Sequence, residues 1–208
     1  MSSLVRIDSS PRGADSHSKS IADVVESQLI SVIPQLKITH HDVSVMAVPA
    51  LSGTAITGFY TPKEEFTDEL TQATELSDRL IAELKAADTL LISAPMYNFG
   101  VPSSLKAWID QIVRINETFS YDDAGFDGLL KGKKAILALS YGAQGYVEGG
   151  PMESMNFFEP YLVALLGFLG IDDVEVFRLE GTSMLSPEAL AANRKALDRH
   201  ISERLNRG

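Results

Sequence analysis

Along this chain, short apolar runs alternate with longer segments of helical period, a pattern that few folds other than a doubly wound α/β sheet produce. Residues 4–7, 36–43, 89–94, 135–139 and 174–179 have the length and apolar character of strands. TLLISA at 89–94 and AILAL at 135–139 have almost no polar face, as a central parallel strand covered on both sides requires. The run at 36–43 is less regular, because His40, His41 and Asp42 crowd its end. After the first strand, Ile21, Val24, Val25, Gln28, Leu29 and Val32 describe one face of a helix with only Gln28 polar, and Pro34 stops it. Residues 44–60, with Pro49, Ser52, Gly53 and Gly58, read as an excursion over the surface. Thr61-Pro62-Lys63-Glu64 has capping-box spacing with proline at the first helical position, so one long helix is expected over 61–87. Leu105, Trp108, Ile109, Ile112 and Val113 mark another helix, and residues 156–170 a strongly apolar one. Ser186-Pro187 caps a last helix carrying Leu190, Leu197, Ile201 and Leu205.

Five strands and about five helices alternate without repeat, low-complexity tract or linker, which fits a single domain over residues 1–208. Right-handed crossovers place helices on both faces, and five strands then take the order 2-1-3-4-5. Such a sheet opens a crevice at the carboxyl ends of its strands, where the order reverses. The loops after strands 1, 3 and 4 are therefore where a ligand belongs.

The chain has no cysteine, which excludes a disulfide scaffold, a thiolate metal site, an iron–sulfur cluster and a redox dithiol, and points to a cytoplasmic setting. Any redox chemistry must come from a cofactor. A net charge of −10 repels a phosphate backbone, so no nucleic-acid partner is expected. The opening MSSLVRIDSS has no apolar run of signal-peptide length, and the longest nearly apolar run, residues 161–171, is shorter than the roughly 18 residues of a membrane helix.

The first of the three loops, residues 8–20, is dense in hydroxyls (Ser9, Ser10, Ser16, Ser18, Ser20) and runs into a helix start. Helix N–H groups and serine hydroxyls together hold a phosphate; a polar loop ending in an ordinary serine cap fits the same residues. Neither GxxxxGK[ST] nor GxGxxG is present. The second, PMYNFGVP at 95–102, sets two aromatics, a Met and an Asn between prolines. It suits a flat heterocycle, or simple apolar turn packing. The third, SYGAQGYVEGGP at 140–151, has glycines that permit close backbone approach or turning. All three fall where the topology puts the crevice, and that coincidence outweighs any one motif.

Other chemistries lack their residues. There is no GxSxG elbow, and His17, His40, His41 and His200 show no zinc spacing. His40-His41-Asp42 reads as a solvated strand end, and Lys131, Lys133 and Lys134 as solvated turn charges. Phe157, Phe158, Tyr161, Leu162, Leu165, Leu166 and Leu169 read as a core helix whose aromatic excess also suits a subunit interface.

In PMYNFGVPSSLKAWIDQI, in the serine-rich first loop, in TFSY, in GKKAI and in PYLVALLGFLGI, the sequence resembles the FMN-dependent NADH-azoreductases, a branch of the flavodoxin-like NAD(P)H:quinone reductases, and the likeness runs the full chain. The resemblance implies a flavodoxin-like fold and a homodimer with one FMN per subunit. It also implies two-electron transfer from NADH or NADPH to quinone and azo acceptors. By position, Ser10, Ser16, His17 and Ser18 would hold the FMN phosphate and ribityl end. Met96, Tyr97, Asn98 and Phe99 would line the isoalloxazine, with Ser140, Tyr141, Gly142 and Ala143 on its pyrimidine side. Tyr121 matches an aromatic near the substrate face, and Tyr121 or Asn98 would position the acceptor. Relatives often carry Ser-Arg-Gly-Gly where this chain has Ser140-Tyr141-Gly142-Ala143, and Gln where it has His17. The missing arginine leaves the source of positive charge near the flavin open.

The expected mechanism is ping-pong: hydride passes from nicotinamide to the flavin, and the acceptor then takes the donor's place. No protein nucleophile is needed. The absence of an obvious arginine pair for a 2′-phosphate weakly favours NADH, or indifference between the two nicotinamides. The alternative is a flavodoxin-like electron carrier without NAD(P)H turnover. A non-flavin thioester or diester hydrolase finds no nucleophile elbow, cysteine or metal cluster in the sequence.

Overall fold

Residues 2–123 and 125–206 are described by the structure, a computed structural model. In chain order its elements are β1 (Ser3–Asp8), α1 (His17–Val32), β2 (Lys37–Asp42), α2 (Gly53–Tyr60), α3 (Asp68–Ala86), β3 (Thr89–Pro95) and α4 (Ser103–Ile112). Then follow β4 (Phe119–Asp122), β5 (Gly125–Gly128), β6 (Lys134–Ser140), α5 (Glu159–Phe168), β7 (Asp173–Leu179) and α6 (Pro187–Leu205). Five parallel strands take the order β2-β1-β3-β6-β7, which is the expected 2-1-3-4-5 once the small β4–β5 ribbon is set aside.

Alternating side chains send the strands' apolar residues to both faces. Leu4, Leu91, Ile136, Ala138 and Phe177 pack with Ile21 and Val25 of α1 and Ile201 and Leu205 of α6. Val5, Ile7, Leu90, Ile92, Leu137 and Leu139 pack with Leu80 and Leu84 of α3, Trp108 and Ile112 of α4, and Leu162 and Leu166 of α5. Each such Leu or Ile, fully buried, contributes roughly 1.5–3 kcal/mol. The two layers clamp the central strands and fix where their carboxyl ends lie.

Three expectations are corrected. Residues 44–60 include a helix, α2, whose first turn is closed by Ser52 Oγ accepting from the Ala55 N–H at 3.0 Å. The long helix over 61–87 is broken: Lys63–Glu65 makes a 3-10 turn, Phe66 is extended, and α3 starts only at Asp68, where the Thr67 hydroxyl accepts from the Leu70 N–H at 3.3 Å. Two threonines compete as caps, and the second wins. The apolar helix begins at Glu159 rather than 156, because the Asn156 side-chain oxygen takes the N–H groups of Phe158 and Glu159 at 3.3 and 3.2 Å. The antiparallel β4–β5 ribbon was not expected at all. It lies on α5 through Phe119 and Phe126, whose rings stand 4.9 and 5.5 Å from that of Phe168.

Candidate functional site at the carboxyl ends of the strands

At the end of β1 the chain crosses to its neighbour: the Ser9 N–H and hydroxyl both donate to the Ser93 carbonyl, at 3.1 and 2.8 Å. Beneath them the Ser93 hydroxyl donates to Asp8 Oδ1 at 2.6 Å, so the loop rests on a buried carboxylate. The Ser16 hydroxyl caps α1, accepting from the Lys19 N–H at 3.2 Å and lying 3.1 Å from the Ser18 hydroxyl. The first N–H groups of α1 have no partner within the helix, and the helix dipole adds partial positive charge at this end. A cavity of about 190 Å³ opens here. Ser10, Arg12, Ser16 and His17 line one wall; Pro95, Met96, Tyr97, Ser140, Gly142, Thr182 and Ser183 line the others. Among the described residues no carboxylate lines it. Burial, with Arg12 and Arg194 near by, holds the His17 imidazole below its ordinary pKa.

Met96 and Tyr97 also line a second, open cavity of about 830 Å³, mostly apolar, with Asn98, Val101, Lys106, Phe157 and Tyr161. Its edge is shaped by a tight reversal in which the Tyr97 N–H donates to the Gly100 carbonyl and the Gly100 N–H to the Tyr97 carbonyl, each at 3.0 Å. Asn98 and Phe99, at its centre, have φ of 48° and 69°. Two successive left-handed residues without a glycine, one of them aromatic, cost on the order of 1–3 kcal/mol each and concentrate at binding sites. The small polar cleft and the larger apolar cavity thus share Met96 and Tyr97 as lining residues.

Of the residues singled out in the sequence, Ser10, Ser16, His17, Met96, Tyr97, Asn98, Ser140 and Gly142 line these two cavities. Ser18 is buried behind Ser16. Phe99 lines neither cavity; its ring stands 6.5 Å from that of Tyr146. Ala143 packs on the core. Tyr121 lies exposed on β4, 4.7 Å ring to ring from Phe126, in neither lining. Tyr141 is the sharpest departure, for its ring is fully buried between Tyr146 and Phe158. Its hydroxyl donates to Glu159 Oε2 at 2.9 Å, and the same carboxylate holds Arg178. Burial first, then the charge of Glu159, pushes the Tyr141 hydroxyl's pKa up. Tyr141→Phe should lower stability by about 1 kcal/mol, since the hydroxyl's bond to Glu159 is lost while the lining of neither cavity changes. Denaturant titration of variant and wild type side by side checks it.

Arg12, Thr182, Ser183, Lys106 and Tyr161 also line the cavities, although nothing in the sequence marked them for that role. Thr182 and Ser183 follow β7, and the rule that selected the loops after strands 1, 3 and 4 reaches them too. Arg12 puts a guanidinium at the polar cleft, and Lys106, paired with Asp110, puts an ammonium at the apolar one.

Residues 2–205 match a family described by a flavodoxin-like fold. The FMN-dependent NADH:quinone oxidoreductase of Xanthobacter autotrophicus is 48% identical over 176 residues, covering 85% of each chain. That of Hydrogenovibrio crunogenus is 44% identical, covering 91% of this chain and 92% of the other. Among solved structures, an FMN-dependent NADH-azoreductase of Bacillus anthracis in complex with FMN is 27% identical with a TM-score of 0.87, covering 100% of this chain and 99% of its own.

Proposed function

We propose, for a chain that belongs to the flavodoxin-like fold family, that it is an FMN-dependent oxidoreductase passing two electrons from NADH or NADPH to quinones, with azo compounds as a second class of acceptor. The observation that carries this reading is the meeting, at Met96 and Tyr97, of a carboxylate-free polar cleft at a helix start with a larger apolar cavity. The residues present fit FMN. Ser10, Ser16, His17, Arg12 and the first N–H groups of α1 would hold its phosphate. Met96, Tyr97 and Asn98 would border the ring system, with Ser140 and Gly142 at its polar edge. When bound, FMN supplies the two-electron chemistry that a chain without cysteine does not carry in its own side chains.

The protein's part is to hold, orient and dry. Val101, Phe157 and Tyr161 give the larger cavity an apolar wall. The rigid Asn98–Phe99 turn fixes the Asn98 amide at its edge, where it orients the acceptor. One cavity serving donor and acceptor in turn gives ping-pong order. Exposed Tyr121, Phe126 and Phe157 suit coverage by a second copy, which would bring Tyr121 to the acceptor. We place the protein in the cytoplasm, as one domain.

Anaerobic absorption spectroscopy of FMN-reconstituted protein tests the reading. Bound-flavin bands should bleach with stoichiometric NADH or NADPH and return with a benzoquinone, and initial rates should give parallel double-reciprocal lines. Tight flavin binding without bleaching by either nicotinamide would make the protein an electron carrier. Failure to retain flavin would remove the cofactor assignment itself.

A further inference from the structure

His17 is the first residue of α1, directly after the Ser16 cap, and it lines the polar cleft beside Ser10 and Arg12. Its ring makes no hydrogen bond to any described residue. An imidazole with nothing to hold it, at the mouth of a helix start, faces a space built for an anion. We propose that His17 couples binding of the FMN phosphate to the uptake of one proton on its own imidazole, so that this residue sets the pH range over which the protein retains its cofactor. The proposal rests on the reading of the cleft as the FMN phosphate site.

The charged and titratable surroundings are few. Arg12 comes from the loop after β1, Arg194 from α6 and Tyr97 from the loop after β3. The remaining lining residues, Ser10, Ser16, Pro95, Met96, Ser140, Gly142, Thr182 and Ser183, carry no charge. Arg194 is already engaged, donating to Asp198 Oδ1 at 2.8 Å and to the Ser20 carbonyl at 2.7 Å. Without ligand, burial and then the two guanidinium groups oppose protonation, so the ring is neutral at neutral pH. A phosphate dianion reverses the local sign. It offers the unpartnered ring an acceptor and an opposite charge at contact distance, both of which favour imidazolium.

The sign follows from linkage. Between the imidazole's pKa in the ligand-free and in the bound protein, the complex carries one proton more than its parts, so affinity falls as pH rises, by up to about tenfold per pH unit. The phosphate's own second ionisation, near pH 6, acts the other way, by depleting the dianion in acid. Wild-type affinity is thus greatest slightly below neutrality and declines above it. With a glutamine at this position, affinity rises through the phosphate ionisation and is flat above about pH 7.

Calorimetry at pH 7 in two non-phosphate buffers of different ionisation enthalpy counts the protons. For the wild-type protein and FMN we expect uptake of a substantial fraction of one proton, and none for riboflavin, which lacks the phosphate. His17→Gln should bind FMN with no uptake. Equal uptake by His17→Gln and wild type overturns the role of His17 while leaving the cofactor reading intact. If neither protein binds FMN, the cofactor reading falls with it. Should the variant not fold, the His17 imidazole NMR signals of the wild type decide: they should move to the doubly protonated form with FMN and stay neutral with riboflavin. No movement with FMN overturns the proposal.

Discussion

Gly128→Ala is expected to lower the stability of the protein by about 3 kcal/mol and to free the β4–β5 ribbon from α5. A Cβ at Gly128 would lie 2.1 Å from the Gly170 nitrogen, 2.3 Å from the Leu169 carbonyl carbon and 2.6 Å from the Gly170 Cα. All three are backbone atoms, so no rotamer change relieves the contact. Retreat is blocked as well, because the Leu130 N–H donates to the Leu169 carbonyl at 2.9 Å and Gly170 holds φ of +91° to turn α5 toward β7. The ribbon must lift, and the contacts of Phe119 and Phe126 with Phe168 go with it. Gly53→Ala is the control. It stands at the first position of α2 with nothing within 4 Å of an added Cβ, and should leave stability unchanged or raise it by up to about 1 kcal/mol. Trp108, buried in the core, reports global unfolding in urea. A Gly128→Ala protein within about 0.5 kcal/mol of wild type, the ordinary range for a harmless substitution, would mean that the two backbones separate easily. Tyr121 rides on this ribbon, so a role for it at the acceptor predicts a change in acceptor KM in the same variant.

This glycine pair shows where the sequence stops being legible. The five long strands announce themselves because burial on both faces demands continuous apolar runs, and the order of the sheet follows from handedness. The ribbon does not, since its strands are four residues each and carry Asp122 and Asp127 on a solvated surface. The loops that line the two cavities were legible by position: topology names the strand ends whatever their composition. Side-chain direction within those loops was not. Tyr141 follows a buried strand and precedes Gly142, which reads as ligand edge, yet its hydroxyl finds Glu159, 18 residues on. Lys133 reads as a turn charge; instead its ammonium donates to the carbonyls of Lys85 and Ala87 and closes the end of α3. His40 reads as a solvated strand end. Strand order places it opposite Arg6, and its ring lies 2.7 Å from the buried carboxylate of Asp8.

That carboxylate supports the second large effect: Arg6→Met should cost about 3 kcal/mol at pH 7 and weaken flavin retention. Arg6 and Asp8 are almost wholly buried on one face of β1, joined by Nε to Oδ1 at 3.1 Å and by a second nitrogen to Oδ2 at 3.0 Å. The guanidinium also holds Asp23 at 2.7 Å and Glu26 at 3.0 Å. Those two carboxylates reach water and survive its loss; Asp8 does not, and is left with Ser93, His40 and Lys19 at 3.7 Å. Burial pushes the Asp8 carboxyl up, but the hydrogen bonds from Arg6 and Ser93 and the charge of Arg6 outweigh it and hold its pKa below 3.8. A depressed carboxyl stabilises the fold above its unfolded value and stops doing so as pH falls through the folded one, so the wild type loses this contribution only below about pH 4. In Arg6→Met the burial acts with less opposition, the Asp8 carboxyl shifts upward, and the penalty grows as pH rises through the acid range. The difference between the two proteins should therefore be present at pH 4, grow to a plateau near neutrality as the variant's Asp8 ionises, and shrink only as pH falls below about 4, measured by urea titration across that range. Arg6→Met with Asp8→Leu should recover much of the loss, because removing both charges leaves none stranded. A gap that neither grows from pH 4 to pH 7 nor shrinks below pH 4 would assign the cost to lost packing instead. Because Ser93 joins Asp8 to the Ser9–Ser10 turn, the double variant separates the two effects: stability returns, while flavin affinity stays low if the carboxylate is what holds that turn in place.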